Sequence, residues 1–401
     1  MPDWRHTIDD FIDSRVEQWR AIRRHLHANP EPSREEYQTT TFLAERLREA
    51  GVGVQVVASG RGLIAEPEGQ DDRPRVAIRA DIDALRMHDA KTVAYHSSRA
   101  GVLHACGHDA HATMVLAAAA ALCHARDVLP KSTDWRAIFQ PAEEVAEGAV
   151  EMVAAGAVEN VRAIVALHVD PDLPVGRLGH RSGSLTANCQ ELFVTIKGRG
   201  GHAARPHLAI DPIGVAAQFI SSIYQFVPRS VDSRDPAVVT FGSIRGGASA
   251  NVIPDEVELT GTIRTLNTET AARVVERIGQ IGRGLADASR TAIDVSVRHG
   301  TDAVQNDPRV TAICVHAAGE VVGPANLEPV LLPSMGGEDF SGYLAFVPGC
   351  MLRLGVATPD RARLALHTTN FDLDERALAI GAKVLAHCVV LLANLYRSDP
   401  E

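Results

Sequence analysis

The feature that most restricts how this chain can fold is a change of rhythm near Leu185. Before that point, apolar runs of strand length alternate with helical stretches. Val16, Trp19, Ile22 and Leu26 fall at helical spacing over residues 12–28, which Asn29-Pro30 closes, and a second helix spans 39–50 up to Gly51. Strands are expected at 75–79, near 136–139 and at 163–167, with a long helix through Met114 and Leu122 and another opening at Glu143-Glu144. This alternation predicts an α/β fold, a mostly parallel sheet covered by helices. Beyond Leu185 the order becomes strand 192–197, helix 212–226, strands 238–244 and 257–264, helix 270–288 and strand 293–298. That is the β-α-β-β-α-β order of a ferredoxin-like α+β unit. Helices resume at 308–322 and 375–396, the last long and apolar enough to close the first domain. A chain of 401 residues exceeds one compact core, so the middle reads as an insertion: residues 1–184 and 300–401 form a discontinuous main domain and 185–299 the inserted one.

A formal charge of −10 is spread along the sequence, and no Lys/Arg run is interleaved with aromatics, which argues against nucleic acid as a partner. The N-terminal MPDWRHTIDDFID carries acidic residues where a secretory signal would be basic and then apolar. The alanine run 117–121 soon reaches His124 and Arg126, and with no apolar stretch of about 18 residues a cytoplasmic chain without a membrane partner is expected. Cys106, Cys123, Cys189, Cys314, Cys350 and Cys388 are too dispersed for a disulfide framework and are expected to be mostly buried thiols. Histidine is the informative excess. The chain has 17, and His104, His108 and His111 share one short segment, which points to metal.

In HACGHDAH a thiolate at Cys106 and an imidazole at His108 can converge on one metal ion if the backbone turns at Gly107, although such a pair alone is more often core or surface. Asp81 and Asp83 sit just past the 75–79 strand, where ligand groups gather in open α/β sheets. Glu143-Glu144 follows Pro141 at a strand end. One carboxylate can bind metal while the other handles protons, yet adjacent glutamates are also an ordinary solvated helix start. His168 stands where the 163–167 strand is expected to exit into a loop, either as a ligand or as a satisfied strand-end histidine. His367, in LHTTNFDLDE, just precedes the expected cap of the final helix.

Taken in order, RRHLHANPEPS, RADIDAL, HACGHDAHATM, FQPAEE, ALHVDP, GRGGHAARPH, ANVIP, GTIRTL, SMGGEDF and HTTNFDLDE resemble the dinuclear metallo-amidohydrolases, the family of hippurate hydrolase, N-acyl amino acid amidohydrolases and plant indole-acetyl amino acid hydrolases. The resemblance spans essentially the whole chain. It implies that Cys106, His108, Glu144, His168 and His367 ligate two divalent ions, zinc or manganese, with Glu143 as general base and later acid. It implies that Asp81 orients a ligand histidine from behind, and that His202, Asn251 and Arg264 of the insertion face the substrate. A loop histidine bound to its own backbone is the other reading of His202, and a strand residue on a solvated face that of Arg264.

The insertion is implied to act as a lid and to join two subunits in a homodimer, with residues 1–184 and 300–401 as the catalytic domain. The implied substrate is a small N-acyl amino acid amide. A dipeptidase or an N-acetyl amino acid deacetylase is the alternative on the same fold. A non-catalytic binding protein should have lost Glu143 or a ligand, and all are present. Two departures bear on specificity. Arg86 replaces the proline usual after RADIDAL, and Cys189-Gln190 stand where an acidic residue is common before the insertion's first strand, so the acyl group is left unassigned.

Overall fold

The computed structural model describes residues 3–69, 73–358 and 364–398. The chain divides into two compact units: Met1–Leu185, Val304–Leu332 and Asp339–Glu401 in one, Thr186–Ala303 with Pro333–Glu338 in the other. The sequence pattern had not associated Pro333–Glu338 with the middle segment.

The first unit is built on an eight-stranded sheet with the spatial order Val52–Val56, Leu63–Pro67, Trp135–Gln140, Arg75–Asp81, Val161–Pro174, Gly349–Ala357, Leu178–His180 and Leu327–Pro329. The four central strands run parallel and the pairings that flank them are antiparallel, except that the edge strand Leu327–Pro329 runs parallel to Leu178–His180. Alternate residues feed two apolar layers. Val76, Ile78, Val165 and Leu167 join the larger core, and Ala77, Ile138, Ile164 and Ala166 the smaller one on the opposite face. The larger core centres on the helix His108–His124, whose alanines allow close approach of Val16–Ala28 and Arg376–Ser398. Contrary to the expectation from sequence, an apolar stretch of membrane-spanning length exists: Arg376–Leu395 has a mean hydropathy of 1.9, but 67% of it is buried inside the fold, as in a core helix.

The strands Val52–Val56, Leu63–Pro67 and Gly349–Ala357 are absent from the sequence reading, and three of the elements it does contain differ. The helix expected at 12–28 is two, Trp4–Asp13 and Val16–Ala28, because Ser14 Oγ turns back to Phe11 O and Trp19 Nε1 takes the Ile12 carbonyl at 3.0 Å. The strand expected to end at Leu167 continues to Pro174, because its parallel neighbour Gly349–Ala357 pairs with it past His168. Glu143-Glu144 does not open a helix; the helix starts at Gly148, after a turn bounded by left-handed Ala142 and Ala146.

The second unit carries a four-stranded antiparallel sheet, in spatial order Ala237–Arg245, Glu256–Thr265, Asn188–Lys197 and Ala292–Thr301. Leu192, Val194, Ile196, Val257, Leu259 and Ile263 face the helices Pro212–Phe226 and Thr268–Ser289, burying one face as period-two alternation requires. Element order and pairing are those of the ferredoxin-like unit read from the sequence.

Candidate metal centre

Each site residue of the first unit is placed by a local constraint. Cys106 and His108 flank Gly107, which takes φ 91°; a Cβ there would meet Val169 Cγ2 at 2.4 Å, so the turn requires glycine. Glu143 and Glu144 lie between Ala142 (φ 52°) and Ala146 (φ 57°), and Gly148 closes the turn where a Cβ would fall 1.6 Å from Pro141 O. His168 sits within the strand Val161–Pro174. His367 has φ 59°, its backbone N–H donating to Ala105 O at 2.8 Å. Non-glycine residues hold this left-handed conformation only where the surroundings enforce it, and such residues gather at functional sites.

These elements bring the donor atoms together. The ligand atoms of Cys106, His108 and His168 lie within 4.8 Å of one another, as do those of Cys106, Glu144 and His367, and those of His108, Glu143 and Glu144. Cys106 Sγ is 3.6 Å from His168 Nε2 and 3.4 Å from His367 Nε2. Glu144 Oε1 is 3.6 Å from His367 Nε2 and 3.9 Å from His108 Nε2, and Glu143 Oε2 is 3.9 Å from His108 Nε2. Ligands sharing one tetrahedral ion, with bonds of about 2.0–2.3 Å, stand roughly 3.3–3.8 Å apart, close to these separations.

The layer behind the donors fixes imidazole tautomers. His108 Nδ1 lies 2.9 Å from Asp83 O and 3.1 Å from Asp83 Oδ1, so its proton belongs on Nδ1 and the Nε2 lone pair faces the cluster. His168 Nδ1 donates to Val169 O at 2.8 Å, which leaves its Nε2 lone pair for Cys106's side. Asp83 Oδ2 accepts from Ser33 Oγ at 2.7 Å and Glu144 N at 3.1 Å. Asp81, expected to orient a ligand histidine, lies against His111, with Oδ1 2.6 Å from Nδ1, and its other oxygen takes Arg79 at 2.7 Å and stands 3.7 Å from His108 Nε2. His111 Nε2 accepts from Val169 N at 2.9 Å, so both its nitrogens are engaged. The contact with His108 Nδ1 is made by Asp83, which the sequence places beside Asp81 at the strand end without telling the two apart. The signal available for it was the acidic pair two residues apart at a strand end.

The electrostatics suit a divalent cation. Burial pushes the Cys106 thiol well above its ordinary range, although His108 opposes this. Burial, with Asp83 and Asp81 nearby, also pushes the Glu144 carboxyl up to about 7 against the pull of His108. Burial and Arg353 hold His168 neutral, the form in which imidazole ligates. Asp81, against its burial, is held well below the carboxylate range by His108, His111 and Arg79. His108 Nε2 and Glu144 Oε1 are buried without hydrogen-bond partners among the described residues. A thiol and a carboxyl that resist ionisation alone, beside the imidazoles of His168 and His367 that burial keeps neutral, are a donor set that a cation would hold in its ligating form, and it would displace the proton that Asp81 and Cys106 favour on His108.

Three of the remaining expected residues belong to the second unit. His202 and Asn251 are exposed neighbours in the second unit, where His202 pairs with Val252 across a short ladder and Ala203 N donates to Asn251 O at 3.0 Å. His202 Nδ1 accepts from Ala204 N at 3.1 Å, which puts the ring proton on Nε2. Arg264 is half-buried opposite Cys189, on the sheet face away from the helices, and donates to Ile263 O. Arg86 is exposed and pairs with Glu35, which also binds Arg99. His104 is buried with neither ring nitrogen bonded among the described residues, and burial lowers it to about 3.

Residues 77–390 match the sequence profile of Peptidase family M20/M25/M40. A protein described as a probable hydrolase, from Synechocystis sp., is 40% identical over 368 residues, covering 91% of this chain and 93% of its own. The N-acetyl-L-cysteine deacetylase of Bacillus subtilis is 36% identical over 361 residues, covering 89% and 84%. A solved Bacillus subtilis structure, described as a dinuclear metal binding peptidase from the M20 family, matches with a TM-score of 0.82 at 33% identity over 95% of this chain and 99% of its own. With this site on this fold, the chain belongs to peptidase family M20/M25/M40 and is a metal-dependent amidohydrolase.

Proposed function

We propose that the chain hydrolyses the amide bond of small N-acyl amino acids, with Cys106, His108, Glu144, His168 and His367 holding two divalent ions, zinc or manganese, and Glu143 as the proton-handling group. The observation that carries this reading is the convergence of those donors with Glu143 at their side. Cys106 lies within reach of both the His108–His168 and the Glu144–His367 groups, and would hold the ions together with those four residues. Bound divalent ions in such a site acidify water and polarise a carbonyl.

The chain's own residues supply the rest. Asp83 keeps His108 in the tautomer that ligates. Glu143 takes the proton of the attacking water and returns it to the departing nitrogen, which is otherwise too basic to leave. His202, with its proton on Nε2, donates to the carbonyl oxygen as negative charge builds there. Arg264 and Asn251 face the substrate as further polar groups of the second unit. The acetylated substrate in the name of the deacetylase relative supports a small acyl group.

His202 lies in the second unit and every proposed ligand in the first. We place His202 in the active site of a partner subunit, in a cytoplasmic homodimer joined through the second unit. The strand Ala237–Arg245 is at the edge of its sheet and exposes Val238 and Ile244, which suits such pairing.

The test is hydrolysis of acetyl, benzoyl and indole-acetyl amino acids beside dipeptides, with metal analysis of the same preparation. Glu143→Gln should keep its metal and lose at least about a hundredfold in kcat, while Glu144→Gln should lose metal. A Glu143→Gln enzyme with more than about a tenth of the wild-type rate rejects Glu143 as base.

A further inference from the structure

We propose that Glu36 positions the general base: one buried carboxylate oxygen ties the turn that carries Glu143 to the turn that supports His108. The proposal rests on the reading of Glu143 as base. Glu36 is fully buried, and its Oε1 accepts from Ala142 N at 2.7 Å and from Arg34 N at 3.0 Å. Both donors belong to left-handed residues, Ala142 with φ 52° and Arg34 with φ 73°. Neither is glycine, so each conformation needs an enforcing partner, and Glu36 is bonded to both.

Each of the two turns leads to the site. Ala142 immediately precedes Glu143. Ser33, beside Arg34, donates to Asp83 Oδ2, and Asp83 Oδ1 lies 3.1 Å from His108 Nδ1. An outer tie, Arg34 Nε to Glu147 Oε2 at 2.8 Å, joins the same two turns at the surface. Glu36 is therefore the buried point at which the backbone before the base is registered against the support of a metal-facing histidine.

Loss of this acceptor frees Ala142 to leave the left-handed region, which swings the residue that follows it. Glu144 has a separate anchor, its own N–H on Asp83 Oδ2 at 3.1 Å. Cys106, His168 and His367 come from other elements, and His108 keeps the Asp83 backbone oxygen, 2.9 Å from its Nδ1, whatever happens to the Ser33 contact. The loss should therefore fall on Glu143 and spare the donors.

Glu36→Gln keeps a carbonyl oxygen for both N–H groups, whereas Glu36→Leu has a similar size and no acceptor. The holoenzymes are compared on the N-acetyl amino acid that wild type hydrolyses fastest. Glu36→Leu should lower kcat by at least about thirtyfold with KM and metal content little changed, and Glu36→Gln should stay within about threefold of wild type. An unchanged kcat in Glu36→Leu, a parallel loss of metal, or equal damage by Gln and Leu overturns the proposal. If Glu36→Leu does not fold, Ala142→Gly in the Glu36→Gln background decides. The weakened clamp and loosened turn should together lower kcat by more than the product of their single effects, and a simple product overturns the clamp. Glu143→Gln is measured in parallel. If it stays active the base reading fails; if it is inert while Glu36→Leu keeps full kcat, only the role of Glu36 fails.

Discussion

Cys106 and Cys123 bracket the same helix, and what their sulfurs meet sets them apart. Cys106 Sγ stands 3.6 and 3.4 Å from two imidazoles, whereas Cys123 Sγ donates to Gly51 O at 3.3 Å. Burial pushes both thiols up, so neither is a thiolate by itself, and only Cys106 has companion donors that a cation would share. Cys106→Ala should therefore lower metal content and activity together, and Cys123→Ala should leave both unchanged. Metal analysis of the purified variants checks this, and equal metal in Cys106→Ala and wild type counts against the centre. The cluster residues are legible in the sequence because each stands in a short motif. Asp83 was harder to place, because two acidic residues share the strand end and only the fold tells which contacts His108. Glu36 gave no signal at all, because it acts on a backbone N–H 106 residues away.

Among the elements, the helix Val16–Ala28 is pinned to the site helix by one ion cluster. Arg23 is fully buried, with Nε 2.7 Å from Asp109 Oδ2 and Nη2 3.0 Å from Asp372 Oδ1, and His27 Nδ1 reaches the same Asp109 oxygen at 2.7 Å. Burial alone would raise Asp109, but Arg23 and His27 hold it well below its ordinary 3.8. An acid depressed in the folded state contributes stability above its unfolded value, and that contribution is lost as pH falls through the folded one. Arg23→Leu leaves Asp109 buried with its main counter-charge gone, and should destabilise by about 3–5 kcal/mol at pH 7. The deficit should narrow at pH 5, where the orphaned carboxyl, now raised, takes up a proton. Urea unfolding at both values checks this, and a deficit independent of pH excludes the ion pair as its source. The helices Pro212–Phe226 and Pro308–Val322 match their sequence bounds, since an Asp cap followed by Pro marks each start. The split near Ser14 and the turn at Glu143 were missed because side chains far along the chain or one turn away claim the backbone groups a helix would use.

At the scale of the whole molecule, the order of strands and helices is enough to read a ferredoxin-like insertion in an α/β chain, because period-two and helical patterns change where the chain crosses between units. Pro333–Glu338 escaped this reading, since its grouping with the second unit has no periodicity to announce it. Operation in trans by His202 predicts complementation. Differently tagged Glu143→Ala and His202→Ala chains, isolated as a mixed dimer, contain one site with both residues and one with neither. Activity should return at about half the wild-type level if the sites act independently. A metal-loaded mixed dimer without activity removes the trans assignment. The central claim, amide hydrolysis by a two-ion centre on the Cys106–His367 donor set, is tested most directly by stripping the enzyme of metal and titrating zinc or manganese back while following hydrolysis of an N-acetyl amino acid. The account predicts an inert apoprotein whose rate rises to saturation near about two equivalents per chain. Full activity in the stripped protein, or saturation at a single equivalent, contradicts it.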